Sequence, residues 1–563
     1  MNPRTFIHTF FGVMLLLLCL LGVGHAAPAN GPTWDGRLVL VLPFENQSAQ
    51  PGLDWIGESF PVILNERLNS AGFLTIRRED RQYALQHLGL PAGFHPTHAT
   101  IYRIAQTLDV DYVILGSYTI ANGHITAVAR ILMVRGPAMG TPLEENAGLN
   151  QLLDVEDGLA WQIARQIDPN FAVEKQTFLA AGHGIRLDTF ENYVRGQMAP
   201  TIDEQIRHLS IAVQLSPDYT PALLALGKAY FKNQQYEQAA AAFAKIPSGN
   251  PRTLEAQFYS GLAYLYTGNY PKAEAAFSAV AAVLPLPEVL NNQGIALNRR
   301  GQDGTALFER AVKLDPQNAN YWFNLAVSER RVKHYPRALE AVKKSLAIRP
   351  GDEEVQHLQE HLLAEENSPI EPDPAKISKP TPPADTTDTA DATDATDATD
   401  NSEDTYEPLE RIERTYNETS FRQAAFEMDQ MRALKLQSLP PAKQAAELCK
   451  EGQGYVNQGL LLEAERQFQQ ALIADHSSAA AHAGLAQIRE FTGNTAAARQ
   501  QANTSIQLQP NVQAYLVLAR LSLQQRQFTA ATQSVQSALQ LDPKNSAASG
   551  ILQAIQVQEK QAP

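Results

Sequence analysis

Residues 357–361 read His-Leu-Gln-Glu-His. On a helix, His357 and His361 share one face and could ligate zinc, with Glu360 as the base that activates a bound water. The chemistry of such a set is peptide hydrolysis. Zinc also needs a rigid third ligand, and the Pro-, Thr-, Ala- and Asp-rich stretch that follows, 368–405, supplies none. A second constellation suits binding rather than catalysis. Arg299, Arg300, Arg330 and Arg331 fall at or near the ends of two successive helical patterns, and guanidinium groups grip carboxylates bidentately. Two ligands suit them: an acidic segment of a partner, or the chain's own tract 385–404, which holds seven Asp and one Glu with no Lys or Arg. His95 and His98 flank Pro96 and read as solvated loop residues. There is no Walker loop, G-x-S-x-G or C-x-x-C. Binding without a cofactor is the reading, and a zinc peptidase is a distant alternative.

The elements that must position these groups are repeats. Prolines stand at 217, 251, 285, 316 and 350, at steps of 34, 34, 31 and 34. Counting back from Pro251 gives Phe243, Ala239, Tyr230, Gly227 and Leu226. The same offsets from Pro285 give Phe277, Ala273, Tyr264 and Gly261. Small residues at the eighth and twentieth places let two helices approach closely, phenylalanines are expected to fill the space between neighbouring pairs, and proline stops the second helix. Trp322, Leu325, Ala326 and Ala338 keep the pattern in the fifth repeat. The three residues missing from the 31-residue step fall in the turn near 299–302. In the first repeat, Leu209 and Ala212 are in register, but Tyr193 stands where a small residue is expected. A second array carries Pro510 and Pro543, and His476 takes the proline's place 34 residues before Pro510. Its offsets give Gly452, Ala464, Phe468, Ala498, Ala531, Val535 and Ala538.

This pattern resembles the tetratricopeptide repeat. The resemblance implies helix pairs stacked into a solenoid with a concave binding surface. The clamp by which some such domains clasp a terminal carboxylate is incomplete, since Gly227-Lys228 is followed by Gly261-Leu262. Asn292 and Asn324 occupy a position that is often Asn in these repeats. Apolar residues at helical spacing (Leu409, Ile412, Tyr416, Phe421, Ala425, Met428, Met431) predict a degenerate helix pair over 406–442 that caps the second array.

Ahead of the repeats lies a unit of another kind, residues 33–180. The β-branched run at 37–44 predicts a buried strand, and 54–71 a helix through Trp55, Phe60, Ile63, Leu64 and Leu68. Residues 73–77 read as a strand, and 80–88 and 97–109 as helices. Residues 111–120 and 125–134 alternate across Asn122-Gly123, a two-residue hairpin signal. A helix near 155–167 closes a small α/β domain with a mixed sheet. The phrases VLPFENQS at 41–48, LDWIGESFPVILNERL from Leu53, and VDYVILGSYT at 110–119 resemble the amino-terminal domain of TolB and the TolB-like module that bacteria fuse to tetratricopeptide repeats. That resemblance implies a non-catalytic contact role in the cell envelope.

Arg4, the apolar run 10–23 and Gly24-His25-Ala26 form the pattern of a cleaved secretory signal, too short for the roughly 20 residues of a spanning helix. Cys19 follows Leu18, which does not suit a lipoprotein site, and it leaves with the signal. Cys449 is then alone and reads as a buried thiol, with a bridge between chains as the alternative. The formal charge is −14, of which −8 sits in residues 385–404, so nothing resembles a nucleic-acid-binding face. The whole reads as α+β, mostly α: a signal (1–26), an α/β domain (33–180), a repeat array with a capping helix (186–367), a disordered acidic linker (368–405), the degenerate pair (406–442) and a second array (443–557). The linker is expected to separate two independently folded halves. The expected function is an extracytoplasmic, periplasmic or secreted scaffold that binds a protein or peptide, in envelope assembly. A component of an export or polymer-secretion machine is the alternative.

Overall fold

The computed structural model describes residues 38–48, 52–90, 97–136, 138–182, 184–250, 252–367, 406–415 and 434–561. The signal, the linker 368–405 and the span 416–433 lie outside them, and so do His95 and the acidic tract 385–404.

The amino-terminal domain is a mixed sheet covered on both faces. Strand β1 (Leu38–Val41) pairs in parallel with β3 (Leu74–Thr75) and β4 (Tyr112–Ala121). Strand β4 pairs antiparallel with β5 (His124–Met133) across the turn at Asn122 and Gly123, whose φ values of 51° and 77° are those of a two-residue hairpin. The short strands β2 (Glu45–Asn46), β6 (Ala138–Met139) and β7 (Leu143–Gly148) extend it, and β6 and β7 were not expected from the sequence. Alternation along β1 explains the two layers. Val39 and Val41 face one core with Phe60, Ile63 and Leu64 of α1 (Trp55–Ser70) and Leu159 and Ile163 of α4 (Leu152–Ile167). Leu40 and Leu42 face another with α2 (Arg78–His87) and α3 (His98–Thr107), which contribute Leu85, Ile101 and Ile104. A strand buried on both sides carries no polar period, which is why residues 37–44 read as one apolar run.

Helix α5 (Lys175–Gly182) leads into the first array: α6 (Leu187–Met198) with α7 (Ile202–Leu215), α8 (Thr220–Lys232) with α9 (Tyr236–Phe243), α10 (Thr253–Tyr266) with α11 (Tyr270–Val283), α12 (Pro287–Arg299) with α13 (Thr305–Leu314), α14 (Ala319–Arg331) with α15 (Tyr335–Ile348), and the cap α16 (Glu353–Asn367). The second array is α17 (Pro441–Asn457) with α18 (Leu461–Ala474), α19 (Ala479–Phe491) with α20 (Thr495–Leu508), α21 (Val512–Gln524) with α22 (Phe528–Leu541), and the cap α23 (Ser546–Gln561).

Glycine sets the closeness within several pairs. A Cβ on Gly227 would lie 2.4 Å from the Phe243 ring, and one on Gly261 would lie 2.7 Å from Phe277. These phenylalanines therefore fill the space inside their own pair first, rather than only the space between pairs. The pair α6/α7, which has Tyr193 at the expected small position, gains its close approach at Gly196 instead. A Cβ there would meet Leu209 at 2.7 Å.

Two findings correct the sequence reading. Residues 406–415 are not helical, so the degenerate pair does not begin there; its positions Tyr416, Phe421, Ala425, Met428 and Met431 lie outside the described residues, which resume in helix at 434–437. Leu409 and Ile412 are spaced as on a helix, yet their segment is extended because the first array holds it in that form. The two halves are also not separate bodies. Leu462 of α18 is buried in the core of the amino-terminal domain.

Candidate peptide groove and inter-array contact

The first helices of the later repeats line one concave face, and three asparagines project from it. Asn324 on α14 accepts from the Arg411 backbone N–H at 2.7 Å and donates to the Arg411 carbonyl at 2.8 Å. Asn292 on α12 does the same two residues on, accepting from Glu413 N–H at 3.0 Å and donating to its carbonyl at 2.8 Å. Asn291 bridges them, accepting from Asn324 at 2.8 Å and donating to the Arg411 carbonyl at 3.1 Å. Asn324 and Asn292 each replace a neighbouring strand, holding both main-chain groups of Arg411 and Glu413, two residues apart. An extended peptide is the conformation whose alternate residues point the same way.

Side chains of the segment are held as firmly. Glu410 is buried between Arg299 Nε at 2.8 Å, Arg331 at 3.2 Å and Asn298 Nδ2 at 3.3 Å. Arg299 and Arg331 end their helices, so both reach the one Glu410 carboxylate and share it. Arg411 lies 4.2 Å over the Phe323 ring and forks onto Asp352 at 2.6 and 2.7 Å and Glu354 at 2.8 Å. Hydrogen bonds from Arg411 outweigh burial and hold the Asp352 carboxyl below the ordinary Asp range. Tyr406 stacks on His361 with centroids 4.1 Å apart, and its carbonyl accepts from Arg330 at 3.0 Å. Glu413 accepts from Asn320 at 3.2 Å.

The four arginines singled out from the sequence thus divide. Arg299 and Arg331 converge on Glu410, Arg330 pairs with Glu365 on α16, and Arg300 pairs with Glu274 at 3.3 Å. The carboxylate they meet comes from residue 410, outside the tract 385–404. Of the suggested zinc set, His361 is taken up by Tyr406, and no group of three or more His, Cys, Asp or Glu is arranged to hold a metal among the described residues. Asn291, Asn298, Asp352, Glu354 and the segment itself escaped the sequence reading. One signal was present: Asn292 and Arg299 recur as Asn324 and Arg331, seven apart each time and 32 residues on. Two helical turns put each pair on one face.

The second array presents a different contact. Glu465 on α18 is buried, and Arg489 of α19 grips it at 2.7 Å while reaching Glu174 at 3.0 Å. Thr177 of α5 donates to the same carboxylate, as does the Glu174 N–H at 3.1 Å. Gln469 donates to the Ala172 carbonyl at 3.0 Å. This charge cluster fastens the second array to the amino-terminal domain. Cys449 is buried on α17, with Sγ 3.7 Å from the Ser478 hydroxyl, and burial pushes its thiol up.

Stacked helix pairs around a concave groove define an α-solenoid interaction scaffold. Over residues 224–286, 296–353, 449–510 and 489–546 the pairs match the sequence profile of the tetratricopeptide repeat. Anaphase-promoting complex subunit 3 of Schizosaccharomyces pombe (strain 972 / ATCC 24843) is 26% identical over 158 residues, 28% of this chain and 24% of that protein. The chain therefore spans about a quarter of the length of that relative. Among solved structures, MamA protein aligns at 17% identity and a TM-score of 0.28, over 33% of this chain and 98% of that one. YrrB, described as a tetratricopeptide protein with an unusual peptide-binding site, aligns at 15% identity and 0.27, over 36% and 98%. No helix among the described residues is long and apolar enough to cross a membrane.

Proposed function

We propose that this chain is an extracytoplasmic scaffold of a bacterial cell envelope, whose first array receives a linear segment of a partner protein. One observation carries the binding part: the concave face grips the backbone of an extended decapeptide through Asn292 and Asn324. Main-chain recognition admits many sequences, while the flanking charged pockets choose among them. The location is supported by the apolar run 10–23 before Gly24-His25-Ala26, and the envelope role by the TolB-like phrases at 41–48 and 110–119. The amino-terminal domain then acts as a contact module beside the arrays.

Two measurements test this reading. Amino-terminal sequencing of the exported protein should begin after residue 26, and retention of Met1 would contradict the location. A photo-crosslinking residue in place of Asn320 should capture both residues 406–415 and a second polypeptide in living cells. Capture of the chain's own segment alone, under every growth condition, would contradict the binding role.

A further inference from the structure

We infer that the groove reads a specific charge pattern in its partner, an aromatic residue followed four places on by Glu, then Arg, and two further on by Glu, and that residues 406–415 are a resident copy of that pattern which the partner must displace. This rests on the reading of the first array as a peptide-binding site.

The pattern follows from the pockets in order. His361 and Arg330 offer a flat, cationic seat to the first residue, which Tyr406 fills, with Arg330 at 5.6 Å from its ring centroid. Arg299, Arg331 and Asn298 leave room for one carboxylate, and Glu410 takes it. A neutral residue there would leave two guanidinium groups facing each other across a site that is largely shut off from water. Next comes the opposite charge: Asp352 and Glu354 with the Phe323 face behind them fit a guanidinium, which both stacks and forks. Asn318 and Asn320 then donate to an acid, Glu413. A positive, then a negative, then an amide-lined pocket fixes both the register and the direction of the peptide, since reversing it would set like charges together.

Displacement is built into how the segment is held. Its hold consists of hydrogen bonds, ion pairs and two ring contacts, Tyr406 on His361 and Arg411 on Phe323, rather than a fully buried apolar anchor. Leu409 is 46% exposed and anchors nothing, and Ile412 is only partly buried. Tethering makes the segment an effective competitor, because a cis ligand on a linker of this length works at millimolar-range effective concentration. A partner's apparent affinity falls in proportion to the fraction of chains whose groove is open. The scaffold therefore binds a weak or sparse partner poorly and a matching, abundant one well.

The test uses the full chain and a fluorescent peptide with the sequence of residues 405–415. The double variant Glu410→Ala/Arg411→Ala disarms the resident segment and leaves every groove residue intact, so its far-ultraviolet spectrum should match the wild type. The peptide should bind this variant at least tenfold more tightly than it binds the wild type. A peptide with the Glu and Arg of its central pair exchanged should lose that gain. Adding Arg331→Glu, a half-exposed position, should abolish binding by the disarmed chain. Equal affinity of wild type and disarmed chain would overturn the competition, and equal binding of the exchanged peptide would overturn the pattern. Either result can stand beside partner capture at position 320, in which case the inference fails and the binding role survives.

Discussion

The two arrays share a repeat but use it differently. Counting back 26 from Pro350 gives Asn324, whereas the same count from Pro510 and Pro543 gives Gly484 and Val517. The first array thus projects amides that can hold a peptide backbone, and the second has none at those places. In exchange the second array carries Glu465 and Arg489, which are buried against α5 of the amino-terminal domain. Both sites are built from carboxylate and guanidinium. Exposure does not separate them, since each has an enclosed pair and one further group more than a third exposed, Glu174 at 37% and Arg331 at 38%. The difference lies in what supplies the partner groups: a folded helix of another domain in one, and a ten-residue segment without regular secondary structure in the other.

Removing one partner from each site should separate the two roles. Arg489→Ala leaves Glu465 enclosed with the neutral donors Thr177, Gln469 and a backbone N–H, and a broken buried pair costs about 3–5 kcal/mol. Urea denaturation should show that loss or an early transition in which the second array undocks. Arg331→Ala should change the same curve by less than about 1 kcal/mol, because Arg299 remains on Glu410. A similar loss in both variants would erase the distinction.

Asn324→Ala removes two backbone hydrogen bonds to Arg411 and should weaken the segment's hold by about 2 kcal/mol. Trypsin cleavage after Arg411, which reports the open population, should accelerate more than tenfold. Cleavage at Arg489 should not change. An unaltered rate at Arg411 would mean that the asparagines do not hold the segment.

Acid should open the groove. Asp352 has its carboxyl held below the ordinary Asp range by Arg411, so the hold it adds is complete above that range and is lost as pH falls through the lowered value. Spin labels at Glu407 and Glu353 should keep a single short distance at neutral pH and spread to longer ones below about pH 4. A narrow distribution through that range would show that the Arg411–Asp352 pair does not contribute. Within the scaffold itself acid acts elsewhere. Burial pushes the Glu255 carboxyl up, but Lys228 and Arg252 outweigh it and hold it down to about 2, so the stability this pair adds is lost as pH falls from the ordinary Glu range through about 2.

The smallest effect should be common to both arrays. The turn between paired helices needs a left-handed residue, which is Gly268, Gly301, Gly459 or Gly493 in four repeats but Gln234, Lys333 and Arg526 in three others, at φ 58°, 62° and 56°. Lys333→Gly and Arg526→Gly should each stabilise by about 1 kcal/mol by relieving that strain. Unequal effects measured by thermal unfolding would show that the turns of the two arrays differ after all.

Much of this architecture was legible because repeat packing leaves a period in the sequence. Gly227 with Phe243 and Gly261 with Phe277 marked helix pairs, and Asn122-Gly123 marked a hairpin, each through a local requirement for space or for positive φ. The groove was legible in part. Arginines at helix ends pointed to a carboxylate, but which carboxylate depends on a contact between residues 111 apart, Arg299 and Glu410, that leaves no local pattern. Residues 406–415 were misread for the same reason. Their apolar spacing permits a helix, and a tertiary clasp on their backbone decided for an extended form. The Glu465–Arg489–Thr177 cluster was invisible because repeat helices carry charges on every solvated face, and only the fold shows which pair is covered.

The central claim is that the first array's concave face holds a peptide backbone through side-chain amides. Residue-resolved hydrogen exchange of the Arg411 and Glu413 amides in the full chain tests it most directly. The structure predicts slowed exchange at both N–H groups, which Asn324 and Asn292 accept, with protection at Arg411 lost in Asn324→Ala and protection at Glu413 lost in Asn292→Ala. Exchange of both amides at the rate of an unstructured peptide in the wild-type chain would contradict it.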